Sequence, residues 1–217
     1  MKQRHFVVAI TGASGSIYAL RLIEELLRSG ARVSALITEA GFAVLREECG
    51  LEWGGAAQVV QEQLRQRVGG EANPPRPPFA KGGACKGGEL RYYACDDLFA
   101  PIASGSSAPD AMLVVPCSMG TLSRISCGNA GNLLERAADV MLKEARPLVL
   151  VPRETPLNAI HLEHMLKLSR LGVRIVPAMP GFYHQPQSME DLVDFVVGKV
   201  LDSVQVEHTL FRRWGGE

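Results

Sequence analysis

Apolar residues fall along the chain in two alternating rhythms. Residues 5–11 (HFVVAIT) form a short, β-branched run bounded by glycine, which suits a strand covered on both faces of a parallel sheet. Over 16–29 the rhythm changes: Ile17, Leu20, Ile23, Leu26 and Leu27 recur at three- and four-residue spacing, the pattern of an amphipathic helix, and Gly30 supplies its stop signal. A second strand is predicted over 32–38 and a second helix over 39–49. Strands over 111–116, 147–152 and 173–177 follow, each succeeded by a helical pattern.

Strands alternating with helices call for an α/β architecture with a parallel sheet and right-handed crossovers. The last three strands end in proline, which lacks a ladder N–H and so marks their C-terminal edge. In open α/β sheets the ligand crevice lies along that edge. One stretch breaks the alternation: 69–88 is rich in glycine and proline and too poor in apolar residues to order itself, so it reads as a surface insertion loop.

Length and composition fit one globular domain over 1–217, with 47% hydrophobic and 21% charged residues. Lys plus Arg equals Asp plus Glu at 23 each, so no global field draws the chain to nucleic acid or to an anionic membrane. With no signal-peptide core and no membrane span, a cytoplasmic location is expected. Five cysteines form no C-x-x-C pair; they read as free thiols that pack.

The chemistry must therefore be local. TGASGS (11–16) joins a strand to a helix, so the amides of Gly12 to Gly15 can bind an anion, with the Ser14 hydroxyl as a further donor. Its G-x-x-G spacing lacks the third glycine of a dinucleotide fingerprint, leaving a phosphate monoester, a pyrophosphate or a plain tight turn open. Glu39 stands where a ribose-binding acid could, beside Thr38, which can itself bond a sugar hydroxyl. In PCSMGTLS, Ser118 and Thr121 open a helix and can cap it. Arg153 and Glu154 directly follow a buried strand and so face the crevice, where a guanidinium can clamp phosphate and a carboxylate can move a proton. Arg136 and Lys143, seven apart, share a helix face. His161 and His164 lack the spacing of a metal motif. PGFYHQPQS clusters Phe182, Tyr183 and His184 after the last strand, and Trp214 near the terminus is expected to dock, with the 204–217 tail, at a subunit interface.

Taken together, TGASGSIYALRL, ASGSSAPDAMLVVPCSMGTLS, ERAADVMLKEARPLVLVPRETPL and PGFYHQPQSMEDLVDFV make the sequence resemble the UbiX flavin prenyltransferases, nearly end to end. The resemblance implies a three-layer Rossmann-like (flavodoxin-like) fold and a metal-independent transfer of a dimethylallyl group from dimethylallyl monophosphate to N5 and C6 of reduced FMN. It further implies delivery of the prenylated FMN to UbiD-type decarboxylases. By matching positions, Gly12, Ala13, Ser14, Thr38, Ser118, Met119, Gly120, Thr121 and Arg153 would bind FMN. Tyr183, Lys199, Lys143, Arg136, Glu154, Trp214 and Glu48 would bind the allylic phosphate, and Glu154, Ser14, Tyr183 and Lys143 would be catalytic. Members of this family assemble as dodecamers with sites between subunits, and Glu48 matches a residue at that boundary.

Two departures from the family pattern stand out. Thr38-Glu39 replaces the usual Ser-Lys, reversing a charge, and Lys199 replaces the more common arginine, trading a planar fork for a point charge. Two other functions fit the same fold: an FMN-dependent peptidyl-cysteine or aromatic-acid decarboxylase, and a non-catalytic flavin-binding accessory subunit.

Overall fold

The computed structural model describes residues 3–69 and 87–215. Five of its strands follow the predicted rhythm: β1 (His5–Ile10), β2 (Arg32–Ile37), β4 (Ala111–Cys117), β5 (Leu148–Pro152) and β6 (Arg174–Ile175). A sixth, β3 (Glu89–Tyr93), lies at the sheet edge beside β2. All pairings are parallel, in the order β3-β2-β1-β4-β5-β6.

Side chains alternate across β1 with period two, which divides the core into two layers. Phe6, Val8 and Ile10 point to the layer holding α1 (Ser16–Arg28), α3 (Ala57–Gly69) and α7 (Met189–Ser203). Val7 and Ala9 point to the layer holding α4 (Met119–Ser126), α5 (Leu133–Lys143) and Leu168 of α6 (Ala159–Arg170). The described residues thus form the three-layer parallel α/β fold that the resemblance implies. Arg21 ties α1 to Asp194 of α7 at 2.7 Å, and Arg67 ties α3 to Glu24 at 3.2 Å.

The prediction and the structure part at three places. Pro116 lies inside β4, which runs on to Cys117 through a register shift against β5. The expected 173–177 strand shortens to two residues. The pair α3 and β3 has no counterpart in the expected elements. Here Gln61 Oε1 accepts from Tyr92 N–H and Arg65 donates to the Leu90 carbonyl, both at 3.1 Å, so α3 satisfies backbone groups that an edge strand would leave open. Of the expected insertion loop, Gly69 ends α3 and Gly88 leads into β3 within 2.6 Å of the Leu27 carbonyl, counted from where a Cβ would be. Residues 70–86 of that loop lie outside the described residues.

Candidate active site

The crevice forms where β1, β2, β4 and β5 end together. Thr11, fully buried, links two of these ends: its Oγ1 donates to the Pro116 carbonyl and accepts from Ser118 N–H, both at 2.8 Å. Gly12 then passes so close to α2 (Glu39–Cys49) that a Cβ on it would stand 2.5 Å from that of Ala40. Gly15 turns with a φ of 107°, a conformation open to glycine, and aims its amide outward from the α1 start.

That helix start already holds an anion. Glu48 Oε2 accepts from Gly15 N–H at 2.8 Å and from Ser16 N–H at 3.3 Å. The contact places Glu48 on its own chain's first loop, a position the expectation of a subunit-boundary residue did not include. Beside it Ser16 Oγ is buried without a hydrogen-bond partner among the described residues. Ala13 is buried, and Ser14 is half-buried.

The neighbouring loops present hydroxyls and charge. Thr38 accepts from Gly41 N–H at 3.1 Å and so caps α2, while Glu39 occupies that helix's first turn, where its charge suits the helix dipole. Ser118 caps α4, accepting from Thr121 N–H at 3.3 Å, and its hydroxyl donates to Thr121 Oγ1 at 3.1 Å. Met119 is buried and Gly120 exposed. Arg124, a residue not singled out in the sequence, also reaches Thr121 Oγ1 at 3.3 Å; a single arginine one turn past Thr121 carries no motif to announce it. Arg153 Nε approaches the Ser14 carbonyl at 3.4 Å, joining the β5 end to the β1 loop. Glu154 is exposed, and its Oε1 accepts a local bond from Thr155 N–H.

A second cluster lies beyond β6. Tyr183 meets Trp214 edge-on at 5.3 Å and Phe195 of α7 at 5.6 Å. His184 stacks on Phe195 at 5.0 Å with both ring nitrogens buried and without a hydrogen-bond partner among the described residues. Lys199 sets its ammonium over the Phe195 and Phe211 rings, 5.6 and 5.2 Å from their centres. Trp214 therefore docks first on its own chain, and remains 81% exposed there.

Two predicted residues stand apart. Lys143 closes α5 at the end that feeds β5, the opposite sheet edge from Ser14, and pairs with Glu144 at 2.7 Å. Arg136, on the same helix, bonds the Ala103 carbonyl and Asp139. Among the histidines, His161 completes the α6 cap and His164 bonds Ser126 Oγ at 2.7 Å. A cavity of about 1390 Å³, lined by His5, Arg32, Arg65 and Asp110 among others, opens along β3 and holds none of the predicted site residues; Gly69 and Gly88 on its rim flank residues outside the described set.

Burial governs the thiols. It pushes Cys117 up to about 12 and, together with Asp96, Cys95 up to about 11, so both stay protonated near neutral pH.

The Flavoprotein family matches residues 1–201 of this chain. A protein of Halalkalibacterium halodurans named flavin prenyltransferase UbiX is 53% identical over 212 residues, covering 98% of this chain and 94% of the relative. The crystal structure of AnUbiX (PadA1) in complex with FMN and dimethylallyl pyrophosphate aligns over 100% of both chains with a TM-score of 0.81 and 35% identity. A dodecameric FMN-dependent UbiX-like decarboxylase from Escherichia coli O157:H7 aligns over 98% of this chain and 100% of its own, with a TM-score of 0.78 and 36% identity.

Proposed function

The chain belongs to the UbiX flavin prenyltransferase family, and from that membership we infer that it is itself a flavin prenyltransferase. In the reaction we propose, a dimethylallyl group passes from dimethylallyl monophosphate to N5 and C6 of reduced FMN. The observation that carries the reading is the α1 start, where two amides already hold a carboxylate among hydroxyls of three converging loops.

The residues present fit a mononucleotide flavin. An amide pair that seats the Glu48 carboxylate has the chemistry to seat a phosphate, and the unpartnered Ser16 hydroxyl adds a donor at the same place. Gly12, Ala13, Ser14 and Thr38 would hold the phosphate and ribityl end. Ser118, Met119, Gly120, Thr121 and Arg153 would line the ring. Reduced FMN, when bound, supplies the nucleophilic atoms.

The chain's own residues supply charge and proton handling. Departure of phosphate from an allylic carbon leaves negative charge on its oxygens, and the Lys199 ammonium with the Tyr183 phenol stabilises that charge. The ring faces around them suit the cationic prenyl fragment. The exposed Glu154 carboxylate, without an ion-pair partner among the described residues, accepts and returns a proton as the new ring closes.

Lys143 and Arg136 enter this scheme from a second copy of the chain. Lys143 lies at the far sheet edge from its own chain's crevice, Arg136 on the same helix is held by the Ala103 carbonyl and Asp139, and a dodecameric assembly like that of the E. coli relative offers the neighbour. The exposed Phe99, Ile160 and Trp214 give such an assembly apolar surface to bury. The product is passed to a UbiD-type decarboxylase. Among the described residues no helix is long and apolar enough to cross a membrane, and we place the enzyme in the cytoplasm.

Release of inorganic phosphate tests the reading. Anaerobic protein given dimethylallyl monophosphate should release phosphate with reduced FMN present and not with oxidised FMN. Release that ignores the flavin's redox state contradicts it.

A further inference from the structure

Past α7 the chain turns back along the same helix, and one carboxylate holds it there. Arg213 grips Asp202, in the last turn of α7, with two bonds, Nη2 to Oδ1 at 2.7 Å and Nη1 to Oδ2 at 3.1 Å. His208 Nε2 lies 3.1 Å from the same Oδ1. Leu210 N–H donates to His208 Nδ1 at 3.2 Å, which makes Nε2 the protonated nitrogen and so the donor to Asp202.

The helix has a niche for the returning segment. Gly198 lies under it: a Cβ there would stand 2.4 Å from Phe211 and 2.6 Å from the His208 ring. A glycine in mid-helix costs about 1 kcal/mol relative to alanine, so its use here has a packing reason. With the segment seated, Phe211 packs on Phe195 at 5.0 Å and lies under Lys199, while Trp214, one residue past Arg213, covers Tyr183. Burial alone would raise the Asp202 carboxyl, but Arg213 and His208 hold it below its ordinary range.

We propose that Asp202 is a positioning residue: by clasping Arg213 and His208 it seats residues 208–214 in the Gly198 niche and thereby fixes Tyr183 and Lys199 for the allylic phosphate. The clasp stands on geometry alone. Its consequence for the allylic phosphate rests on the prenyl-transfer reading.

The chain has two tryptophans, so Trp53→Phe leaves Trp214 as the sole reporter. In that background, Asp202→Asn and Arg213→Ala should each lower the fluorescence anisotropy of Trp214 in ligand-free protein. The double variant should fall no further than Asp202→Asn alone, because Asp202 is the partner that Arg213 loses, and Arg213→Lys should recover part of the loss. Each single variant should raise KM for dimethylallyl monophosphate roughly threefold to tenfold, with kcat and FMN affinity held near the parent values. Arg213 is largely exposed, so its variant tests the clasp even if Asp202→Asn folds poorly. Unchanged anisotropy in Arg213→Ala overturns the clasp, and lowered anisotropy with unchanged KM overturns its role in positioning. A parent protein that releases no phosphate defeats the prenyl-transfer reading instead, and the anisotropy still decides the clasp.

Discussion

At the β1 loop the backbone forms the site. Thr11 joins the β1 end to the β4 end, Gly12 lies against Ala40, and the amides of Gly15 and Ser16 point at an anion, all within a few residues of a strand buried from Phe6 to Ile10. Around Tyr183 the backbone contributes little. Four rings, a lysine and an Arg213–Asp202 pair, drawn from 183 to 214, hold one another by side chain. The first arrangement is pre-formed by the sheet and resists change; the second depends on a surface segment held by partly exposed contacts, the kind that opens at low free-energy cost. A flavin that must stay in place suits the former, and a donor that must enter and leave as phosphate suits the latter.

Substitutions can break that division, and the largest effect should fall where the two parts meet. Glu154→Gln keeps the shape but not the proton, so single-turnover transfer should slow by about 10²–10⁴-fold while FMN binds as before. Transfer at the parent rate removes Glu154 from the mechanism. Lys199→Ala removes a charged partner worth about 1.5–3 kcal/mol, or roughly ten- to a hundredfold. Initial-rate measurements should show that loss in KM for the donor, with FMN affinity unchanged; weakened FMN binding would mean the two parts are not separate.

Thr11→Val probes the opposite side. It leaves Ser118 N–H and the Pro116 carbonyl without their buried partner, which should cost about 1–3 kcal/mol in urea unfolding. FMN titration should show weaker binding, with KM for the donor little altered.

The smallest effect is in pH. The folded Asp202 carboxyl lies below its ordinary value of 3.8, so its contribution is complete above that value and is lost as pH falls through the lowered one. Trp214 anisotropy in the Trp53→Phe protein should therefore hold through neutral pH and decline only in acid below about 4. A decline starting near pH 6 would point to another group.

The contrast also explains which parts the sequence disclosed. β1, α1, β2 and α2 appear within a residue or so of their predicted bounds because each carries its own period and stop signal, such as the Gly30 that follows α1. Ser118 and Thr121 were visible as capping hydroxyls; Ser118 does cap α4, while Thr121 supplies the amide that it accepts from. α3 and β3 were hidden because glycine and proline between them interrupt the rhythm, and because the short ELRYY strand owes its edge position to Gln61 and Arg65. The Tyr183 cluster was legible only as a list of aromatic residues. Its assembly depends on the tail lying over Gly198, a tertiary fact that no local period encodes. The same holds for Lys143, whose far-edge position follows from the direction of α5 and not from its spacing to Arg136.

One measurement bears most directly on the central claim. Protein incubated anaerobically with reduced FMN and dimethylallyl monophosphate is denatured and the released flavin weighed by mass spectrometry. A flavin heavier than FMN by one dimethylallyl unit is the predicted result; an unmodified FMN mass, with both ligands shown to bind, contradicts the account.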